Sequence, residues 1–348
     1  EATNNPVSPM ADVLDQVILD AENAISILPE SWDQIYAGRA TKNSARGLLA
    51  KALVFRGNYS GSTADFTQAI SVFNSISGVS LMTSYLDNFD EKVENNAESL
   101  FEIQGSKPPA INNIFLYNDG PWRGVENMSL FRGMMRPAGK GTASDQASTR
   151  FLVTDKLFNN FGTDPRISYF LQPDDNEGGK MFQKYTLDEL DSRPSFGASV
   201  NNERVLRYGD IKLLIAEAEL KAGTPAAAIG HINDIRTRAR DWGVASGEGN
   251  GVDPANHSTS ETNAATIMQW IMDERFVELA GEGQRWWDLK RWHVGGDIDL
   301  TGWGSGDQHF SSNLSSASQF NVDTHLIFPI PQVEISRNSA ILNNNPGY

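Results

Sequence analysis

Six charged residues, Glu274, Glu278, Glu282, Arg285, Asp288 and Arg291, recur at intervals of three or four in the last third of the chain. Along a helix and its continuation, residues so spaced lie near one another. Glu274 and Glu278 are of the type that cleaves glycosidic bonds, where two carboxyl groups flank the scissile bond at about 5 to 10 Å. The same residues can instead lock a helical hairpin, with Arg275 and Arg285 forking onto carboxylates through paired hydrogen bonds. The locking reading is favoured. Carboxylates one turn apart project to one side of a helix, whereas a glycosidase pair faces across its substrate from different elements.

Aromatic residues supply the second candidate chemistry. Trp122 stands in an aperiodic, Gly-, Pro- and Asn-rich stretch, with Tyr117, Asn118 and Asp119 before it and Arg123 and Asn127 after it. A pyranose ring packs its C–H face on a flat side chain and presents hydroxyls that need directional donors and acceptors, and this stretch holds both. The alternative is a loop anchored by burying Trp122 and Tyr117. Trp242, Trp303 and Phe310, assigned to Gly-rich loops, are secondary ligand candidates, and Trp32, just after Pro29, is a weaker one. Trp286, Trp287 and Trp292 sit among Leu279 and Leu289 and are assigned to the core; Trp270, between Ile267 and Ile271, is expected packed or half-packed between helices. Asp174, Asp175, Asn176 and Glu177 could hold a structural calcium ion through oxygen ligands, but they lack alternate-position spacing and read better as a solvated turn.

The elements that position these residues are helices. Apolar residues recur helically over Met10–Leu28, Ser44–Arg56 and Asp65–Ile76. Glu98–Gln104 reads as a short strand. A helix is expected over Ser148–Phe161, ending before Asp164-Pro165. Tyr208, Ile211, Leu214, Ile215 and Ala218 form one helix face, Gly223-Thr224-Pro225 stops that helix and starts the next, and Ala228, Ile229, Ile232 and Ile235 line the partner. A second hairpin follows over Ile267–Leu279 and Arg285–Trp292. The expected fold is therefore mainly α, a tetratricopeptide-like scaffold of helix pairs at about 10–77, 207–240 and 265–293, with little sheet. Long irregular loops at about 105–147, 172–202 and 243–263 would shape a ligand surface within a single domain, 1–348.

Composition excludes several classes. The 348 residues carry a formal charge of −15, opposite to what nucleic-acid binding needs. With no cysteine there is no thiolate chemistry. The five histidines show no paired ligand spacing, so no metal cofactor is expected. No apolar run is long enough to span a bilayer, and no export signal stands at the start.

The segment DERFVELAGEGQRWWDLKRW (273–292) closely resembles the ERxxELxxEGxRxxDLxRW element of SusD/RagB proteins. ERVLRYGDIKLLIAEAELKAG followed by AAIGHINDIRTRAR (203–240), the Thr163-Asp164-Pro165-Arg166 turn, the helix at 47–53 and the ending HLIFPIPQVEISRNSAILNNNPGY are similar to further elements of that family in the same order. The resemblance implies a non-enzymatic, cell-surface glycan-binding protein that captures polysaccharide or oligosaccharide and passes it to a TonB-dependent, SusC-like outer-membrane transporter. It also implies a lipid anchor and an N-terminal portion ahead of the first helix, neither of which this sequence contains. Apolar residues on the first helices should then be unusually exposed unless another chain covers them. The acidic balance favours a neutral glucan over an anionic glycan. A glycoside hydrolase and a helical-repeat protein-interaction scaffold are the alternatives.

Overall fold

The computed structural model describes residues 5–105, 154–170, 172–173, 180–181, 184, 201–301 and 320–348. Three helices open the chain: α1 (Met10–Ile27), α2 (Lys42–Ser60) and α3 (Thr63–Asn74). A capping box starts α2, in which the Ser44 amide donates to the Thr41 hydroxyl and the Thr41 amide donates to the Ser44 hydroxyl. Gly61, at φ 70°, ends it in the left-handed region that glycine adopts without strain. The expected exposure on α1 is present: Ile18 and Ala21 are buried, whereas Met10, Val13, Leu19 and Ile27 face outward.

Strand β1 (Ser99–Ile103) pairs antiparallel with a later strand, labelled β4 (Glu203–Arg207), and the dipeptides β2 (Gln172–Pro173) and β3 (Lys180–Met181) pair with each other. Helix α4 (Asp155–Phe161) and the single turn α5 (Ile167–Phe170) lie between. The two anticipated hairpins follow. The first is α6 (Tyr208–Lys221) and α7 (Pro225–Ser246), turned at Gly223 and restarted by Pro225 in the first turn; the second is α8 (Ala264–Glu278) and α9 (Arg285–Val294). Short helices α10 (Val322–His325) and α11 (Gln332–Arg337) close the chain.

Three apolar clusters hold this scaffold. Leu49, Leu53 and Val54 of α2 meet Phe66 and Phe73 of α3 and Ile211, Leu214 and Ile215 of α6. Ile229 and Ile232 of α7 pack with Ile267 and Ile271 of α8 and Trp292 of α9. The third gathers Tyr85, Phe89, Leu157, Phe161, Trp242 and Val277.

Three expectations are corrected. Trp242 is not a loop residue available to a ligand: α7 continues to Ser246, and the indole is 4% exposed inside the third cluster. Gly243, which suggested a loop, serves close packing instead, because a Cβ there would stand 2.6 Å from the Pro165 ring. No strand was expected at Glu203–Arg207, where β4 forms. Of the three tryptophans assigned to the core, Trp292 is fully buried and Trp286 is packed on the second cluster, but Trp287 is 50% exposed. No helix among the described residues is long and apolar enough to cross a membrane.

Candidate functional site

The charged stripe at 274–291 joins two buried ion-pair knots. In the first, Arg207 at the end of β4 forks onto Glu282 through Nε (3.1 Å) and Nη2 (2.7 Å) and donates through Nη1 to Glu98 (2.6 Å) and Glu278 (2.7 Å). Arg238 of α7 donates to Glu98 and Glu278, and Arg166 of the Asp164-Pro165-Arg166 turn forks onto Asp164 and reaches Glu278 Oε2 at 2.8 Å. Burial pushes the Glu278 carboxyl up, but Arg238, Arg207 and Arg166 together outweigh it and hold the group well below the ordinary carboxylate range. Lys184 donates to the Glu278 and Ala280 carbonyls and to Glu282, and burial brings its ammonium down to about 7.

The second knot ties α2, α6, α8 and α9. Asp210 accepts from Lys51 (2.8 Å) and Arg275 Nη2 (2.9 Å), Arg275 Nε donates to Asp288 (2.8 Å), and Arg291 forks onto the same Asp288. Glu217 accepts from Arg291, the Trp292 indole and Asn58. Arg275 therefore does fork onto carboxylates, while Arg285 lies over the Phe276 ring, 4.2 Å from its centroid. Glu274 and Glu278, the pair that could have cleaved a glycoside, are 2% and 0% exposed and held by guanidinium groups. An acid and a base for hydrolysis must face a substrate across a solvent-reachable gap, and this pair does not.

The knots fix the frame from which the aromatic stretch departs. At the end of β1, Asn95 and Gln104 exchange side-chain hydrogen bonds (2.8 and 3.0 Å), Asn202 donates to Gln104 (3.1 Å), and the Gly105 amide donates to Asn202 Oδ1 (2.7 Å). Chain entry into the stretch is thus clamped to the start of β4. Trp122, Tyr117, Asn118, Asp119, Arg123, Asn127, Trp303 and Phe310, and the acidic turn 174–177, lie outside the described residues. Among the described residues no group of His, Cys, Asp or Glu could hold a metal ion.

One aromatic cluster was understated by the sequence. Trp32, the weakest candidate, is 38% exposed and meets Tyr36 edge-on at 6.2 Å, with the Arg39 guanidinium over both rings at 5.4 and 4.4 Å. Spacings of four and three residues carried that signal. Trp270 is half-buried, as expected, and stacks on His257 with ring centroids 4.0 Å apart, a partner thirteen residues away that no periodicity indicates.

Residues 168–348, more than half of the chain, match the model of the SusD family. The chain belongs to the SusD family. That stretch contains both hairpins and most carboxylates of the knots, so the family's sequence signature here is in large part the ion-pair frame. SusD-like protein P25 of Formosa agariphila is 27% identical over 97% of this chain and 64% of its own length. A SusD homolog of Bacteroides thetaiotaomicron shares the fold at a TM-score of 0.74, with 21% identity over 98% of this chain and 71% of that one. A laminarin binding SusD-like protein does so at 0.66, with 22% identity over 98% and 70%. The chain spans less than two thirds of the length of the curated SusD-like relatives it matches.

Proposed function

We propose that this protein is a non-catalytic cell-surface receptor for polysaccharide or oligosaccharide, delivering its ligand to a TonB-dependent, SusC-like transporter in the outer membrane. The observation that carries the reading is SusD-family membership over a helical frame shared with a laminarin-binding protein. Laminarin belongs to that neighbour; for this chain the family supports glycan as the ligand class. A neutral glucan or similar hexose polymer suits a protein of formal charge −15 better than a uronate-rich or sulfated chain, which the same field would repel. Anchoring through lipid at the outer membrane is part of the same proposal.

The ligand surface is assigned to Trp122 with Tyr117, Asn118, Asp119, Arg123 and Asn127. Affinity electrophoresis through soluble neutral and anionic polysaccharides tests it, with intact protein and Trp122→Ala side by side. Retardation of the intact protein by a neutral glycan, lost in the variant and without shortening of the glycan, is the expected result. Equal retardation of both proteins would move the site elsewhere. Shortened glycan would overturn the non-catalytic reading.

A further inference from the structure

Between α4, the Thr163–Arg166 turn, the segment after α7 and one side of α8 lies an open cavity of about 340 Å³, within the roughly 300 to 1,000 Å³ typical of small-molecule sites. Its aromatic wall is the stacked Trp270–His257 pair, 6° from parallel. Burial brings the imidazole down to about 4, so at neutral pH this wall carries no charge.

The polar lining has acceptors to spare. Asp253 Oδ2 accepts from Thr163 (2.7 Å) and Asn250 (2.8 Å), and Asp273 Oδ1 accepts from Gln269 (2.9 Å), which leaves the second oxygen of each carboxylate open. Glu274 also lines the cavity. Its Oε2 accepts from Arg236 (2.9 Å), and its buried Oε1 is paired with Arg166 Nη1 at 2.8 Å, so both oxygens are committed to the protein.

Four lining carboxylates, Asp164, Asp253, Asp273 and Glu274, face two lining guanidiniums, Arg166 and Arg236. The balance repels anions and suits a ligand that donates several neutral hydroxyl hydrogen bonds. Asn160 and Asp273 line a second hollow as well, of about 200 Å³, which reaches Phe276 and Arg285, so space continues beyond one ring.

We infer that this cavity is a glycan subsite separate from the Trp122 loop, built to take one neutral pyranose unit of a chain with Asp253 and Asp273 accepting its hydroxyls beside the Trp270–His257 wall. The inference takes its ligand class from the receptor reading and its place from the cavity.

The full chain is titrated with methyl glycosides of glucose, galactose and mannose, and hydrogen–deuterium exchange is followed in peptides spanning 154–166 and 247–277. Glucuronate and glucosamine serve as charged controls. At least one neutral glycoside should protect both peptides saturably. Asp273→Asn should weaken it about tenfold, the loss of one charge-assisted hydrogen bond. Asn160→Trp, at an exposed lining position that tolerates bulk, should abolish protection, and Trp122→Ala should leave it intact. Protection by none of the neutral glycosides, by the charged controls alone, or equally in the Asp273 and Asn160 variants would overturn the subsite. If the intact chain is retarded by polysaccharide while no glycoside protects these peptides, the subsite falls and the receptor reading stands; protection without retardation reverses that outcome.

Discussion

Two dense groups of charge lie side by side in this molecule and differ in one respect. In the knot around Glu278 the carboxylate oxygens of Glu98, Glu278 and Glu282 meet guanidinium or ammonium groups of the chain itself, at exposures of 5% or less. In the cavity beside Trp270, Asp253 and Asp273 each hold one oxygen in the protein and leave the other open. Glu274 lines the cavity but belongs with the knot, its Oε2 held by Arg236 and its Oε1 by Arg166. Charges whose partners are all internal are committed to architecture. Acceptors left open toward a solvent-connected hollow are free to serve a ligand, and residue type alone does not separate the two cases.

The sharpest way to break that contrast is to unmatch one side of it. Arg207→Ala takes one shared cation from Glu98, Glu278 and Glu282 at once, and removing one partner from a buried ion pair costs about 3 to 5 kcal/mol because the remaining charges stay buried. Urea unfolding should show a loss of that size. Asp273→Asn, on the cavity side, should stay within about 0.5 kcal/mol of the parent. Similar losses in the two variants would mean that both groups are architectural.

Packing sharpens the comparison at the seam between the regions. Gly243 presses on Pro165, beside the Asp164–Arg166 fork, so Gly243→Ala overpacks this seam and should cost about 1 to 3 kcal/mol. Gly230 stands on the same helix with open space where a Cβ would go, and Gly230→Ala should add up to about 1 kcal/mol through helix propensity. Thermal melts of the two variants should therefore shift in opposite directions. A common direction would show that propensity, not the Pro165 contact, governs α7.

These cases also mark how far the sequence could be read. Helices α1, α2, α3 and both hairpins follow from apolar recurrence and from stop signals such as Gly223 and Pro225, which are local. What failed depended on distant partners. The five residues of β4 become a strand by pairing with β1 about a hundred positions earlier, Ser99 opposite Arg207. Gly243 reads as a loop in isolation and as a helix once Pro165 is against it. The stripe 274–291 was legible as a lock, yet Arg166, Arg207 and Arg238, which complete it, come from a turn, a strand and another helix. The cavity was the least legible feature, since Asp253, His257, Trp270 and Asp273 converge on it from two segments with no shared period.

A smaller effect tests the rule at an intermediate case, Glu94, which has few cationic neighbours and is only half-buried. Its Oε1 accepts from the Asn202 amide (2.6 Å), but burial outweighs that bond and Arg204, and raises the carboxyl from 4.5 to about 7. Between those values the folded protein keeps a proton that the unfolded chain has released, so the contribution of Glu94 is present below pH 4.5 and is lost as pH rises through 7. Glutamine keeps the acceptor for Asn202 and never ionises. Glu94→Gln should therefore match the parent near pH 4.5 and exceed it at pH 8 by about 1 kcal/mol, after discounting for the solvent that still reaches the group. Denaturation midpoints across that range measure it. A gain that is the same at both ends would trace the effect to packing, whereas one that appears only as pH rises would show that a poorly matched carboxylate costs stability even where burial is partial.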